Sequence, residues 1–105
     1  MAKIPIKIEN LIKEYLSLLQ THNIPINQAI LFGSYAKGNY SKWSDIDLAL
    51  VSEIFEGNRI KDRGKIRRIT LSFSSNIEVL PFRPQDFNTN DPFVKEIIET
   101  GIKII

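Results

Sequence analysis

An α/β domain, a small sheet with helices packed against it, is the fold class this chain predicts, on three observations. Stretches with apolar residues at helical spacing alternate with short apolar runs of strand length. Glycine and proline stand at the joints between them. The 105 residues, 43% hydrophobic and 25% charged, suffice for one compact domain over residues 1–105 and are too apolar for a disordered chain. The order that results is helix, strand, helix, strand, helix, strand, helix.

In residues 6–21, Ile8, Leu11, Ile12, Tyr15, Leu16, Leu18 and Leu19 recur at helical spacing, and Asn23 and Pro25 end that helix. Ala29 to Phe32 is a buried strand stopped by Gly33. The Gly33-Ser34 corner opens a short helix with Ser34 near its N-terminus, and Gly38 closes it. Asp45 to Ser52 forms a second strand. Its period of two puts Asp45, Asp47, Ala49 and Val51 on one face and Ile46, Leu48 and Leu50 on the other. Residues 53–58 form a loop. Residues 59–74 form a helix with Ile60, Ile66, Ile69 and Phe73 expected to be buried. Ile77 to Phe82 is a third strand, ended by Pro81 and Pro84, with Glu78, Leu80 and Phe82 on one face. Pro92 starts a helix that runs to about Thr100. Gly101 stops it, and Ile102 to Ile105 add a final strand.

Composition excludes several kinds of chemistry. With no cysteine there are no disulfides, thiolate zinc sites or cysteine nucleophiles, which fits a reducing compartment. His22, the sole histidine, falls in an amphipathic stretch and is given a structural role. The net charge of +2 is too mild to point to nucleic acid by itself. No apolar run is long enough to span a bilayer, and the N-terminus lacks a signal-peptide pattern, so a cytoplasmic location is expected.

The chemistry lies in a Gly33-Ser34 pair placed shortly before Ser44-Asp45-Ile46-Asp47. Glycine lets a backbone approach an anion closely, and the helix start that follows presents free N–H groups to phosphate. Ser34 adds a hydroxyl, and Lys37, one turn on, adds positive charge. Alternate residues of a strand stand about 6.5–7 Å apart, so Asp45 and Asp47 project side by side, suited to bracketing two cations that lie about 3.5–4 Å apart in phosphoryl-transfer sites. Oxygen-only ligands select Mg²⁺. Glu78, a carboxylate in an otherwise apolar strand where it is costly unless neutralised, is the third ligand on offer. A triphosphate would be gripped by the Gly-Ser turn and the metals, with Asp47 or Glu78 drawing the proton from an attacking hydroxyl. No EF-hand glycine and terminal glutamate follow Asp45, and no Gly-Lys-Ser/Thr completes a P-loop.

At these residues the chain resembles the nucleotidyltransferase superfamily of the DNA polymerase β type, and most of all the minimal nucleotidyltransferases (MNT) of prokaryotes. The resemblance rests on Leu31-Phe32-Gly33-Ser34-x-Ala36-Lys37-Gly38, Ser44-Asp45-Ile46-Asp47-Leu48 and Ile77-Glu78-Val79. Pro92-Phe93-x-x-Glu96-Ile97 and Gly101-Ile102 also suit it. It implies a mixed sheet, ATP as donor, two Mg²⁺ ions on Asp45, Asp47 and Glu78, and nucleotide contacts from Gly33, Ser34, Lys37 and Ser44. It also implies a helical HEPN partner, an RNase toxin that the MNT neutralises by transferring AMP to a tyrosine. Lys37 stands where many relatives have Arg, and Glu78 where many have Asp. Larger relatives carry a second domain that binds the acceptor. None is expected in 105 residues, so the acceptor is expected to come from another protein.

Residues 59–68 hold Arg59, Lys61, Arg63, Lys65, Arg67 and Arg68 against Asp62 alone. Such a helix is either simply solvated or meets an acidic partner or RNA. Without interleaved aromatic residues, direct nucleic-acid binding is not expected.

Overall fold

The computed structural model describes residues 4–105; the reading of the extreme N-terminus lies in part outside them. Helix α1 spans Ile6–Thr21 and buries Ile12, Tyr15, Leu16 and Leu19 along the stripe their spacing predicts. It ends where His22 Nδ1 donates to the Leu18 carbonyl over 2.9 Å and Asn23 adopts a left-handed φ of 63°, which asparagine tolerates better than most residues. Strand β1 (Gln28–Phe32), the four-residue helix α2 (Ser34–Lys37), β2 (Ile46–Val51), α3 (Arg59–Phe73) and β3 (Ile77–Phe82) follow. A 3₁₀ turn at Pro84–Asp86 leads to α4 (Pro92–Thr100) and β4 (Ile102–Lys103). No described helix is long and apolar enough to cross a membrane.

The four strands lie in the order β3-β2-β1-β4. β2 pairs antiparallel with β1 and parallel with β3, and β4 pairs antiparallel with β1, so the sheet is mixed. The period-two expectation holds over Ile46–Val51. Ile46, Leu48 and Leu50 pack with Ile12, Tyr15, Leu19 and Ile66, under α1 and α3. Ala49 and Val51 pack on the other face with Phe82, Val94 and Ile97, under α4. Each Ile, Leu, Val or Phe side chain among them that is fully removed from water contributes about 1.5–3 kcal/mol. Asp45 precedes β2 and does not lie within it.

Besides the place of Asp45, two expectations are corrected. Pro81 does not end β3; it lies inside the strand, opposite Leu50. The Ile46 N–H donates to the Asn76 carbonyl and the Ser52 N–H to the Phe82 carbonyl. In a parallel ladder this alternation turns Glu78, Leu80 and Phe82 toward β2, and the backbone groups of Ile77, Val79 and Pro81 toward the open edge. A proline there removes no ladder bond.

Ile60 is not buried but 86% exposed. The stripe that α3 buries is Asp62, Ile66 and Thr70, and both polar members have partners. The Asp62 carboxylate accepts from the Glu56 and Gly57 N–H groups at 2.8 and 2.9 Å, pinning the loop before α3. Thr70 donates to the Ile66 carbonyl over 2.9 Å, which leaves the Tyr15 hydroxyl to donate to Thr70 Oγ1 over 2.6 Å. Burial pushes the Tyr15 phenol up to about 12.

Candidate active site

Strand register assembles the site. Phe32 stands opposite Asp47 across β1–β2, and Glu78 stands opposite Asp47 across β2–β3. These three residues form a row across the sheet, on the face that α4 covers. The chain leaves β1 at Gly33 with φ 76° and ψ −149°, backbone angles that residues with a side chain avoid. A Cβ at position 33 would collide with the Asp47 carboxylate. The Gly-Ser corner and the second aspartate of the Asp-x-Asp pair are therefore in direct contact.

Helix α2 begins at Ser34, which is half-buried. It is anchored by buried Tyr35 and Ala36 and closed by Gly38 in the left-handed conformation. Tyr35 stacks on Tyr40 with ring centroids 4.6 Å apart. The first turn of a helix leaves its leading N–H groups without helical partners, and here that turn begins beside Asp47. Ser44 Oγ accepts from the Ser41 N–H at 2.8 Å, and the Ser44 N–H donates to the Ser41 carbonyl. Its hydroxyl thus shapes the turn that delivers exposed Asp45.

The electrostatics are lopsided. The Asp47 carboxyl is pushed above its ordinary value, first by burial and then by the charges of Asp45 and Glu78. Among the described residues neither Asp45 nor Asp47 is in an ion pair. A divalent cation would relieve this crowding, and the all-oxygen donor set fits Mg²⁺.

Glu78 behaves differently from expectation. It is not an unpaired carboxylate stranded among apolar residues: its side chain is half in solvent, and Arg63 Nη2 donates to Oε1 over 3.0 Å. Among the described residues no three His, Cys, Asp or Glu side chains converge on one metal position. Asp45 and Asp47 carry no ion pair among the described residues, whereas Glu78 shares Oε1 with Arg63. Lys37 Nζ lies 3.7 Å from Glu96 of α4, so its charge is shared with that carboxylate. Sequence reasoning missed the two partners Arg63 and Glu96, since each meets its mate only through the packing of a helix against the sheet.

The family model for the nucleotidyltransferase domain matches residues 8–104, and the chain belongs to that family. It is 31% identical to the candidate protein adenylyltransferase MJ1305 of Methanocaldococcus jannaschii, over 93% of this chain and 71% of that one. It is 43% identical to a second candidate protein adenylyltransferase of the same organism, MJ0604, over 44% of this chain, and spans about half of that relative, 47% of its length. Among solved structures, a candidate nucleotidyltransferase from Sulfolobus solfataricus superposes with a TM-score of 0.67 at 21% identity, covering 93% of this chain and 79% of the other. A toxin-antitoxin structure with AMP-PNP superposes at 0.60 and 22% identity, covering 92% and 72%. The mixed four-stranded sheet with its helices is the polymerase β-like nucleotidyltransferase fold.

Proposed function

We propose that this chain, as one catalytic domain in the cytoplasm, transfers AMP from ATP to a hydroxyl of a partner protein: a tyrosine of a HEPN-type helical toxin, which the modification silences. The contact between Gly33 and Asp47 carries this reading, because it sets a phosphate-binding turn against a carboxylate pair. The likeness to candidate protein adenylyltransferases and to the toxin-antitoxin structure with AMP-PNP supports the acceptor class.

In this reading Gly33, Ser34 and the first turn of α2 hold the β- and γ-phosphate oxygens. Lys37 adds charge there when it leaves Glu96, and Ser44 keeps Asp45 in place. Asp45 and Asp47, joined by Glu78, hold two Mg²⁺ ions. Bound Mg²⁺ supplies the positive charge that orients the triphosphate and balances charge on the departing pyrophosphate. The acceptor oxygen forms its bond to the α-phosphorus as the bond to the bridging oxygen breaks. Asp47 or Glu78 takes the hydroxyl proton, and pyrophosphate leaves.

The test is incubation with ATP labelled at the α-phosphate, Mg²⁺ and a HEPN-type helical protein of the same organism. Label is expected on a partner tyrosine with the wild type and not with Asp47→Asn. An unlabelled partner that Asp47→Asn neutralises as well as the wild type would make the chain a binding antitoxin. Turnover of a small hydroxylated compound with no protein acceptor would make it a small-molecule enzyme.

A further inference from the structure

The proposed reaction needs a place for the acceptor, and a groove of about 430 Å³ lies between α3 and β3, bordering Glu78. Its two sides differ in chemistry. On one side, Ile77 and Val79 turn their backbone N–H and C=O groups to the open edge of the sheet, as the alternating bonds to β2 require. An edge of this kind accepts an added strand. The other side is α3, which presents Arg63, Arg67 and Leu71. Nothing stands within 4 Å of where a Cβ on Gly64 would lie, so the helix leaves room at its middle. Leu71, at 58% exposed, is an apolar contact with no cover. Pro81 limits the usable edge to the stretch beside Glu78.

We infer that this groove receives an extended, acidic segment of the acceptor protein. The segment adds to the open edge of β3, with its carboxylates on Arg63 and Arg67 and an apolar residue against Leu71. Charge complementarity selects the occupant, since residues 59–68 carry six cationic side chains and one acidic one, Asp62, which is buried. Continuity with the candidate site sets the consequence. An incoming carboxylate competes with Glu78 for Arg63, so docking frees Glu78 to turn toward Asp47. The acceptor would thus complete the carboxylate set it is modified by. This inference rests on the proposed function for the identity of the partner, but its test does not use the reaction.

The probe is a short fluorescent peptide that alternates aspartate and valine and ends in tyrosine, added to the full chain without nucleotide. Its counterpart with lysine for aspartate and an RNA oligonucleotide serve as comparisons. The acidic peptide is expected to bind, to shift and protect the Ile77 and Val79 amides in NMR spectra, and to weaken with added salt. Arg67→Glu is expected to weaken binding about tenfold or more while the spectrum stays that of a folded protein. Val79→Pro, which removes an edge donor but no ladder bond, is expected to do the same. Asp47→Asn is expected to bind the peptide as the wild type does, so loss of transfer and loss of docking remain separable. Equal binding by Arg67→Glu, amide shifts confined to another surface, or RNA displacing the acidic peptide from the groove would overturn the inference.

Discussion

The carboxylate of Asp47 occupies the space that a side chain at position 33 would need. Glycine is held there by two independent demands, that clearance and a φ of 76°. Gly33→Ala is therefore expected to cost about 1–3 kcal/mol in stability from backbone strain. It should also displace Asp47 and lower the proposed AMP transfer roughly a hundredfold, the scale of an ångström's misplacement. Thermal melts and labelled-ATP assays on the same preparation check both effects.

Mg²⁺ should stabilise the wild type and not Asp47→Asn. At a concentration about ten times its dissociation constant the gain is about 1.4 kcal/mol, or several degrees in melting temperature for a domain of this size. Because the folded Asp47 carboxyl titrates above its ordinary value, its contribution to metal-free stability is full below its unfolded value and is lost as the pH rises through the folded one. The benefit of Mg²⁺ should accordingly be larger at neutral pH than at acid pH. Calorimetry at two pH values, with and without the ion, gives the comparison.

Alkaline unfolding should report on Tyr15. Its phenol is raised to about 12 by burial, so the folded state favours the neutral form. Stability is full below about pH 10, the unfolded value, and declines by about 2–3 kcal/mol between there and pH 12. Denaturant melts of Tyr15→Phe should lose most of that pH dependence. Thr70→Val should cost about 1–3 kcal/mol at neutral pH by leaving the Tyr15 hydroxyl without an acceptor.

Asp62→Ala should loosen the loop before α3. The carboxylate accepts from two backbone N–H groups and lies 3.8 Å from Lys65 Nζ. Its removal is expected to cost about 2–3 kcal/mol. Hydrogen exchange should quicken at Glu56 and Gly57 while the β1–β2 amides keep their protection. Arg63→Ala, by contrast, removes a half-exposed pair with Glu78 and should change stability by less than about 1 kcal/mol.

The helices and strands were legible because their apolar periods are strong, and the faces of β2 followed from its alternation. What escaped the sequence shares one cause: polarity and proline are local symbols with nonlocal meanings. Asp62 and Thr70 are polar, yet each is buried against a partner, and Tyr15 lies 55 residues from Thr70. With them occupying the buried stripe, Ile60 was left facing solvent. Pro81 looked like a strand end because nothing in the sequence says which strand lies at the edge. The residue types of the candidate site could be named from motif spacing. The contact of Gly33 with Asp47 and the hold of Arg63 on Glu78 come from register and helix packing, which spacing does not encode.

The unequal depth of the two layers has a mechanical consequence. Beneath β2 lies the larger cluster, supported by two long helices; above it lies a small one, roofed mainly by α4. Asp47 sits on the shallow side of a strand that is anchored from the deep side. The molecule is built like a workbench with a lighter lid: the surface that carries the carboxylates is expected to stay still, while α4, joined to α2 through Glu96 and Lys37, is expected to open first. Native-state hydrogen exchange should find that order, with α4 and β4 opening well before β2.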